Sequence, residues 1–332
     1  MTPDDILALL TGTDDADLFA RADDTRQYTF GNTVCLQAVI SISNVCTRQC
    51  TYCTLRADNR ALPRYRLKAK DVLDAARKAA AQDATTVVLQ SGEDTGLSVE
   101  LIGELTRKIK TDCGVSVTLA LGDRSLDEYA YLRDCGADAC LLKLETCDRN
   151  RYKQLHESED LASRLHRLEG LRNLGYSLGS GIIAGLPGTT PIDALRDILF
   201  LTDLHLDLIE TGPFVPQADT PLAGNPPGSI ILSQRVAALL RLLNPLADIP
   251  APPTLDALRP GSCAESLERG CNVLMADMIP ADKMTANAVR VVATPSLEND
   301  MASLAPLHRT IAAKGLVPSA SKTKASGREH VG

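Results

Sequence analysis

Three cysteines stand close together in the run Cys46-Thr-Arg-Gln-Cys50-Thr-Tyr-Cys53, a C-x3-C-x2-C spacing inside one stretch without strand or helix periodicity. Thiolates so spaced bind metal. Structural zinc takes four Cys or His ligands, commonly in two pairs, and no second C-x2-C or nearby histidine pair completes such a set. An iron–sulfur cubane normally takes four thiolates, so three close ones predict a 4Fe-4S cluster with one iron left open. That iron can accept the amino and carboxylate groups of S-adenosylmethionine. An electron from the cluster then cleaves the sulfonium C–S bond and yields a 5'-deoxyadenosyl radical, while the protein supplies position and a dry cavity. Tyr52, between the last two cysteines, is expected to pack beside the cluster or the adenine.

Other residues could complete such a site. Gln90-Ser91-Gly92-Glu93-Asp94 is a glycine-containing turn with two acids. Glu93 can accept hydrogen bonds from the methionine ammonium, and Gly92 permits close backbone approach. Lys143-Leu144-Glu145-Thr146 supplies a further carboxylate, and Arg164 is expected to reach the cofactor's carboxylate or to pair with Glu145. The glycine-rich run from Gly179 to Gly188, which includes Ile182, suggests close approach by a ligand, such as a stacked adenine, or by another backbone. Gly212-Pro-Phe-Val-Pro216 offers a rigid loop above the same edge. The five histidines, His156, His166, His205, His308 and His330, are scattered, and none is given a catalytic role.

Positioning these groups requires a sheet. Short β-rich runs alternate with amphipathic helical stretches from residue 34 onward, the pattern of βα units around a parallel sheet. Strands are expected at 34–43, 85–90, 115–121, 138–145, 177–184, 206–214, 248–254 and 271–276, the seventh being weakly strand-like. Stretches such as DVLDAARKAAAQ, ELIGELTRKIK and LASRLHRLEGLRNL have the apolar spacing of helices between them. Eight such units in about 240 residues favour a (β/α)8 TIM-type barrel over a doubly wound sheet of five or six strands. In either, ligands sit at the carboxyl ends of the strands, where the cysteine run, Glu93 and Glu145 fall. Two short helices precede the barrel within residues 1–30, the barrel domain spans 31–315, and the polar, unpatterned stretch 316–332 reads as disordered.

The 332-residue chain can bury a large core. A net charge of -7 argues against nucleic acid as a partner, which would need a surplus of Lys and Arg. No apolar run approaches the roughly 18 to 20 residues of a membrane span, and the acidic start MTPDDILALL lacks a signal peptide's basic region. A cytoplasmic protein without membrane partners is expected. The other seven cysteines lack motif spacing and read as buried thiols rather than disulfides.

Taken together, these residues resemble the radical S-adenosylmethionine (radical SAM) superfamily and, within its biotin synthase-like branch, the HydE family of [FeFe]-hydrogenase maturases. The likeness spans about residues 28–280. It is carried by ISNVCTRQCTYCTLRADNRALPRYRL, VVLQSGED, VSVTLALG, the Arg164 helix, IIAGLPGTT and GPFVPQADTPLAG. It implies cluster ligands at Cys46, Cys50 and Cys53, cofactor contacts at Glu93, Glu145 and Arg164, and Thr118 facing a substrate cavity. The implied substrate is a small cysteine-derived iron carbonyl cyanide complex used in hydrogenase H-cluster assembly, with Lys143 as a point charge toward it. Flavodoxin or ferredoxin would be the electron donor, and other hydrogenase maturases are possible partners. The chain departs from the family pattern at Lys143 and Leu144, where Arg and His are expected, and at Pro252 and Pro253, where paired Thr are expected. A second cluster near the C-terminus cannot form, because no cysteine follows Cys271. The rival readings are another radical SAM enzyme acting on an amino acid or thioether, in the manner of methylornithine synthase or biotin synthase, and a noncatalytic iron–sulfur scaffold.

Overall fold

A computed structural model describes residues 1–157, 159–280, 283 and 303–320. Seven parallel strands run in the order β6-β5-β4-β3-β2-β1-β7: β1 Thr33–Ser43, β2 Thr86–Ser91, β3 Ser116–Ala120, β4 Ala139–Leu141, β5 Ser177–Ala184, β6 Leu208–Pro213 and β7 Val273–Asp277. Their residues are nearly all buried or half-buried, as expected for parallel strands covered on both faces. Helices cover the outside. Ala69–Ala80, for example, buries Val72, Leu73, Ala76 and Ala79, which share one face at helical spacing. Ser98 and Ser125 cap the helices after β2 and β3 by accepting backbone N–H bonds, and Gly114 ends the first of these in the left-handed region.

The sheet curls far enough for a single extended segment to bridge its edges. Leu208 pairs with Asp248, and Pro250 pairs with Val273, both in parallel sense. The weak seventh strand is therefore present only as isolated bridges, because Pro250, Pro252 and Pro253 have no N–H to extend a ladder. Strand four is also shorter than expected. It leaves regular pairing after Leu141 and returns for one bridge, Glu145 to Ile182.

The N-terminal helices, Pro3–Thr11 and Asp15–Phe30, pack on helix Ile230–Leu243, which leads into the bridging segment. Arg235 fastens them, pairing with Asp15 at 2.6 Å and donating to the carbonyls of Leu10 and Gly12. One expectation about the tail is corrected. Val317–Pro318 (β8) pairs with Thr33 and Val34 at the start of β1, since these two residues complete an edge the barrel leaves open there. Residues 321–332 lie outside the described residues.

Candidate active site

The loop between β1 and helix Ala69–Ala80 carries the three cysteines and has no regular structure of its own, so its shape comes from side-chain staples. Arg64 donates to four backbone carbonyls, those of Asn44, Leu55, Arg56 and Asn59, at 2.7 to 3.1 Å. Arg66 forms a two-bond fork to Asp94, which also accepts from Ser43 Oγ at 2.6 Å. Asp94 is thus a structural clasp between β1, the loop and the end of β2. Gly92 is structural too. A Cβ there would meet Val45 O at 2.3 Å and Cys46 Cβ at 2.7 Å, so the cysteine loop approaches this residue closely, and Gly92 also lines the cavity described next. Gly92→Ala is expected to cost about 1 to 3 kcal/mol through overpacking. A thermal melt with a lowered midpoint, together with reduced iron loading, would register it; an unchanged melt would show that the loop shifts freely.

Cys46, Cys50 and Cys53 open on one cavity of about 410 Å³ at the carboxyl ends of the strands. Its walls also carry Tyr52, Glu93, Lys143, Glu145, Arg164 and Ile182. Thr118 is not among them. On β3 the wall is formed by Ala120, while Thr118, on the same face, lies level with Val88 and Val39, which do line the cavity. Leu144, fully buried, is turned away, whereas Pro252 and Pro253 do line the cavity.

Glu145 adopts φ 64°, a left-handed conformation that costs a non-glycine residue roughly 1 to 2 kcal/mol. Such a conformation persists only where the surrounding structure holds it. The bend lets Glu145 N–H donate to Gly181 O and its carbonyl accept from Ile183 N. Its side chain accepts from Tyr52 Oη at 3.3 Å and faces Lys143 Nζ at 3.5 Å. Burial pushes the Glu145 carboxyl up, with Lys143 opposing and Glu210 adding to the rise. Lys143 also lies 3.8 Å from Glu210. Burial works against its charge, but the two carboxylates outweigh it and hold the ammonium above its ordinary value.

A second group of charges lies on the Arg164 side. Glu93, Asp123 and Glu159 place carboxylate oxygens within 4.8 Å of one another. Three guanidiniums meet them. Arg48 pairs with Glu93 and, at 2.9 Å, with Glu159. Arg164 reaches Glu159 at 2.7 Å and Asp123 at 3.3 Å, and Arg167 reaches Asp123 at 3.0 Å. Three negative charges against three positive ones make the group self-compensated. Arg164 therefore does not pair with Glu145, as one sequence expectation had it; its own helix aims it at Glu159 and Asp123. Glu93 remains shifted up by burial despite Arg48, while at Glu159 burial is outweighed by Arg164 and Arg48.

Sequence reasoning missed several wall residues. Arg48 sits inside the cysteine run, and Glu210 lies within β6, whose residues from Glu210 to Pro213 line the cavity, so both were findable. His156 was not. Its Nδ1 lies 3.4 Å from Cys50 Sγ, although 106 positions separate the two residues. Burial, with help from Arg164, lowers its pKa to about 4 and keeps the ring neutral.

A family model for the radical SAM superfamily matches residues 40–201. HydE, the [FeFe] hydrogenase maturase subunit of Thermotoga maritima, is 39% identical over 264 residues, 80% of this chain and 76% of that one. The chain belongs to the radical SAM superfamily. This radical SAM enzyme is also 25% identical to a 3-methylornithine synthase of Methanosarcina acetivorans over 85% of its length and 81% of the relative's. In fold it superposes on the crystal structure of methylornithine synthase with a TM-score of 0.86, at 24% identity and covering 96% and 94% of the two chains. On the structure of the maturase HydG the TM-score is 0.79, at 18% identity and covering 98% and 74%.

Radical SAM enzymes work with a 4Fe-4S cluster and S-adenosylmethionine, and the donor set suits such a group. All ten cysteines are free. Of the seven outside the motif, Cys35, Cys135, Cys140 and Cys271 are buried, and Cys113, Cys147 and Cys263 are partly so. Burial pushes the thiols of Cys46, Cys50 and Cys53 up, the last to about 11, and each of Cys46 and Cys53 raises Cys50 further. Bound iron, a cationic centre, would favour their thiolate forms. Among the described residues no helix is long and apolar enough to cross a membrane.

Proposed function

We propose that this chain is a HydE-type enzyme that acts on a small cysteine-derived iron carbonyl cyanide precursor during [FeFe]-hydrogenase cluster assembly. The observation that carries the proposal is the 39% identity to HydE across a chain whose cysteine loop, Glu145 and Lys143 face one cavity. Cys46, Cys50 and Cys53 would hold the cluster, whose chemistry with S-adenosylmethionine is reductive cleavage of the sulfonium to generate a carbon radical. Glu93 and Arg164, held ready in the compensated charge group, would meet the ammonium and carboxylate of the methionine moiety. Glu145 would accept from the cofactor at the cavity wall, with Tyr52 fixing its carboxylate and Ile182 offering an apolar face to adenine. Flavodoxin or ferredoxin would deliver the electron, other hydrogenase maturases would share the pathway, and the cytoplasm would be the compartment.

The test is complementation. In a strain lacking its own maturase, this chain should restore active [FeFe]-hydrogenase, and Lys143→Met should block restoration while deoxyadenosine formation by the purified variant stays near wild type. Deoxyadenosine formation without restored hydrogenase in the wild type would overturn the HydE reading. A second reading then stands on one observation. Lys143 is already faced by two carboxylates, Glu145 and Glu210, so among the described residues its charge is compensated, which favours the ammonium of an amino acid over an anionic complex.

A further inference from the structure

We infer that His156 donates a hydrogen bond from Nδ1 to the sulfur of Cys50 and thereby raises the reduction potential of the cluster that Cys50 would help to hold. The inference rests on the proposal that the three cysteines are its ligands.

The ring is pinned in place. Tyr152 stacks on it at 4.4 Å with an interplanar angle of 25°, and Tyr52 meets it edge-on at 5.6 Å. The residue is 4% exposed and ends helix Arg149–Leu155. The cysteine loop docks on that same helix end. Thr51 N donates to Leu155 O at 2.9 Å, which holds Cys50 against the ring. Nδ1 then faces Sγ at 3.4 Å, within the longer reach of bonds to sulfur. Glu159 Oε2 is the nearest competing acceptor, at 3.9 Å, and it is already engaged by Arg164 at 2.7 Å.

The far nitrogen identifies the tautomer. Nε2 is buried without a hydrogen-bond partner. A proton there would be an orphaned buried donor, a rare condition in native proteins. A proton on Nδ1 reaches a sulfur, so that form is favoured. Hydrogen bonds to the sulfurs are one of the levers that set iron–sulfur potentials. Reduction adds negative charge that the sulfurs share, so a donor aimed at one of them favours the reduced state. The chain of contacts also reaches the cofactor side of the cavity, since Arg164 Nε donates to the Tyr152 hydroxyl at 3.0 Å.

The experiment compares wild type with His156→Phe, His156→Asn and His156→Gln, each reconstituted anaerobically and assayed for iron and sulfide. The cluster potential is then measured without S-adenosylmethionine by an EPR-monitored redox titration. Removing the donor in His156→Phe should make reduction about tenfold less favourable, a fall of about 59 mV for one electron. Asn carries its amide nitrogen at the position of Nδ1 and should stay near wild type. Gln, whose amide nitrogen falls near Nε2, should follow Phe. An unchanged potential in His156→Phe would overturn the inference. If that variant fails to load iron, equal potentials for Asn and Gln would overturn it instead. Wild type that holds no cluster would sink the assignment of the cysteines, and the inference with it, whereas a loaded wild type with insensitive variants would sink the inference alone.

Discussion

Cys50→Ser, reconstituted anaerobically, is expected to hold no 4Fe-4S cluster. Three thiolates are the fewest that keep a cubane with one open iron, and Cys50 is the middle one, fixed by the docking of Thr51 on Leu155 O. Among the described residues no fourth cysteine lines the cavity to replace it. Iron and sulfide analysis with the visible absorption of the reconstituted protein measures the outcome. Wild type should load one cluster and lose it in air, and the variant should show iron near background. A full cluster in the variant, or none in wild type, would remove these cysteines from the role.

Glu145→Ala should weaken S-adenosylmethionine binding while leaving the cluster in place. The carboxylate faces the cavity and is not one of the thiolate donors. Its loss does not strand Lys143, which keeps Glu210 at 3.8 Å, so the variant should fold. Loss of a charge-assisted hydrogen bond is worth on the order of 1.5 to 3 kcal/mol, or about 10- to 150-fold in affinity. A titration of the loaded protein with S-adenosylmethionine reads this directly, and equal affinities would take Glu145 out of the binding site. Glu145→Gly offers a control. It deletes the same carboxylate but relieves the left-handed strain at φ 64°, so it should lose as much affinity at less cost in stability.

What could be read from the chain depended on whether the information was local. The cysteine run is complete within eight residues, and Glu93 and Glu145 follow strands whose ends bear ligands in any barrel, so these were legible. Arg164 was placed on the correct helix and wall, but its partners were not foreseeable, because Glu159 and Asp123 come from different loops. His156 joins Cys50 only through the docking of a helix end on a loop, and no spacing rule connects them. Thr118 has the parity of the cavity wall and the level of Val88 and Val39, which line it. Gly92 was read as a point of close approach, but the sequence could not say that the protein's own cysteine loop also packs against it. Helix Ile230–Leu243 went unassigned because most of its middle is buried, Ser233 through Arg241 nearly without a break, leaving no polar face to reveal a period.

The prolines of the seventh strand have a mechanical consequence. A barrel laddered all the way round has a fixed circumference, since any dilation must break main-chain hydrogen bonds. Here β6 and β7 are joined through residues 248–251 only near their amino ends. Higher up, on the side facing the substrate cavity, the wall between them includes the side chains of Pro252, Pro253 and Thr254. Among the described residues the main-chain ladder around the barrel is therefore interrupted in this one sector. On the opposite side β1, β2 and β3, which carry the cysteine loop, stay laddered to one another, so the cluster end rests on the continuous part of the sheet.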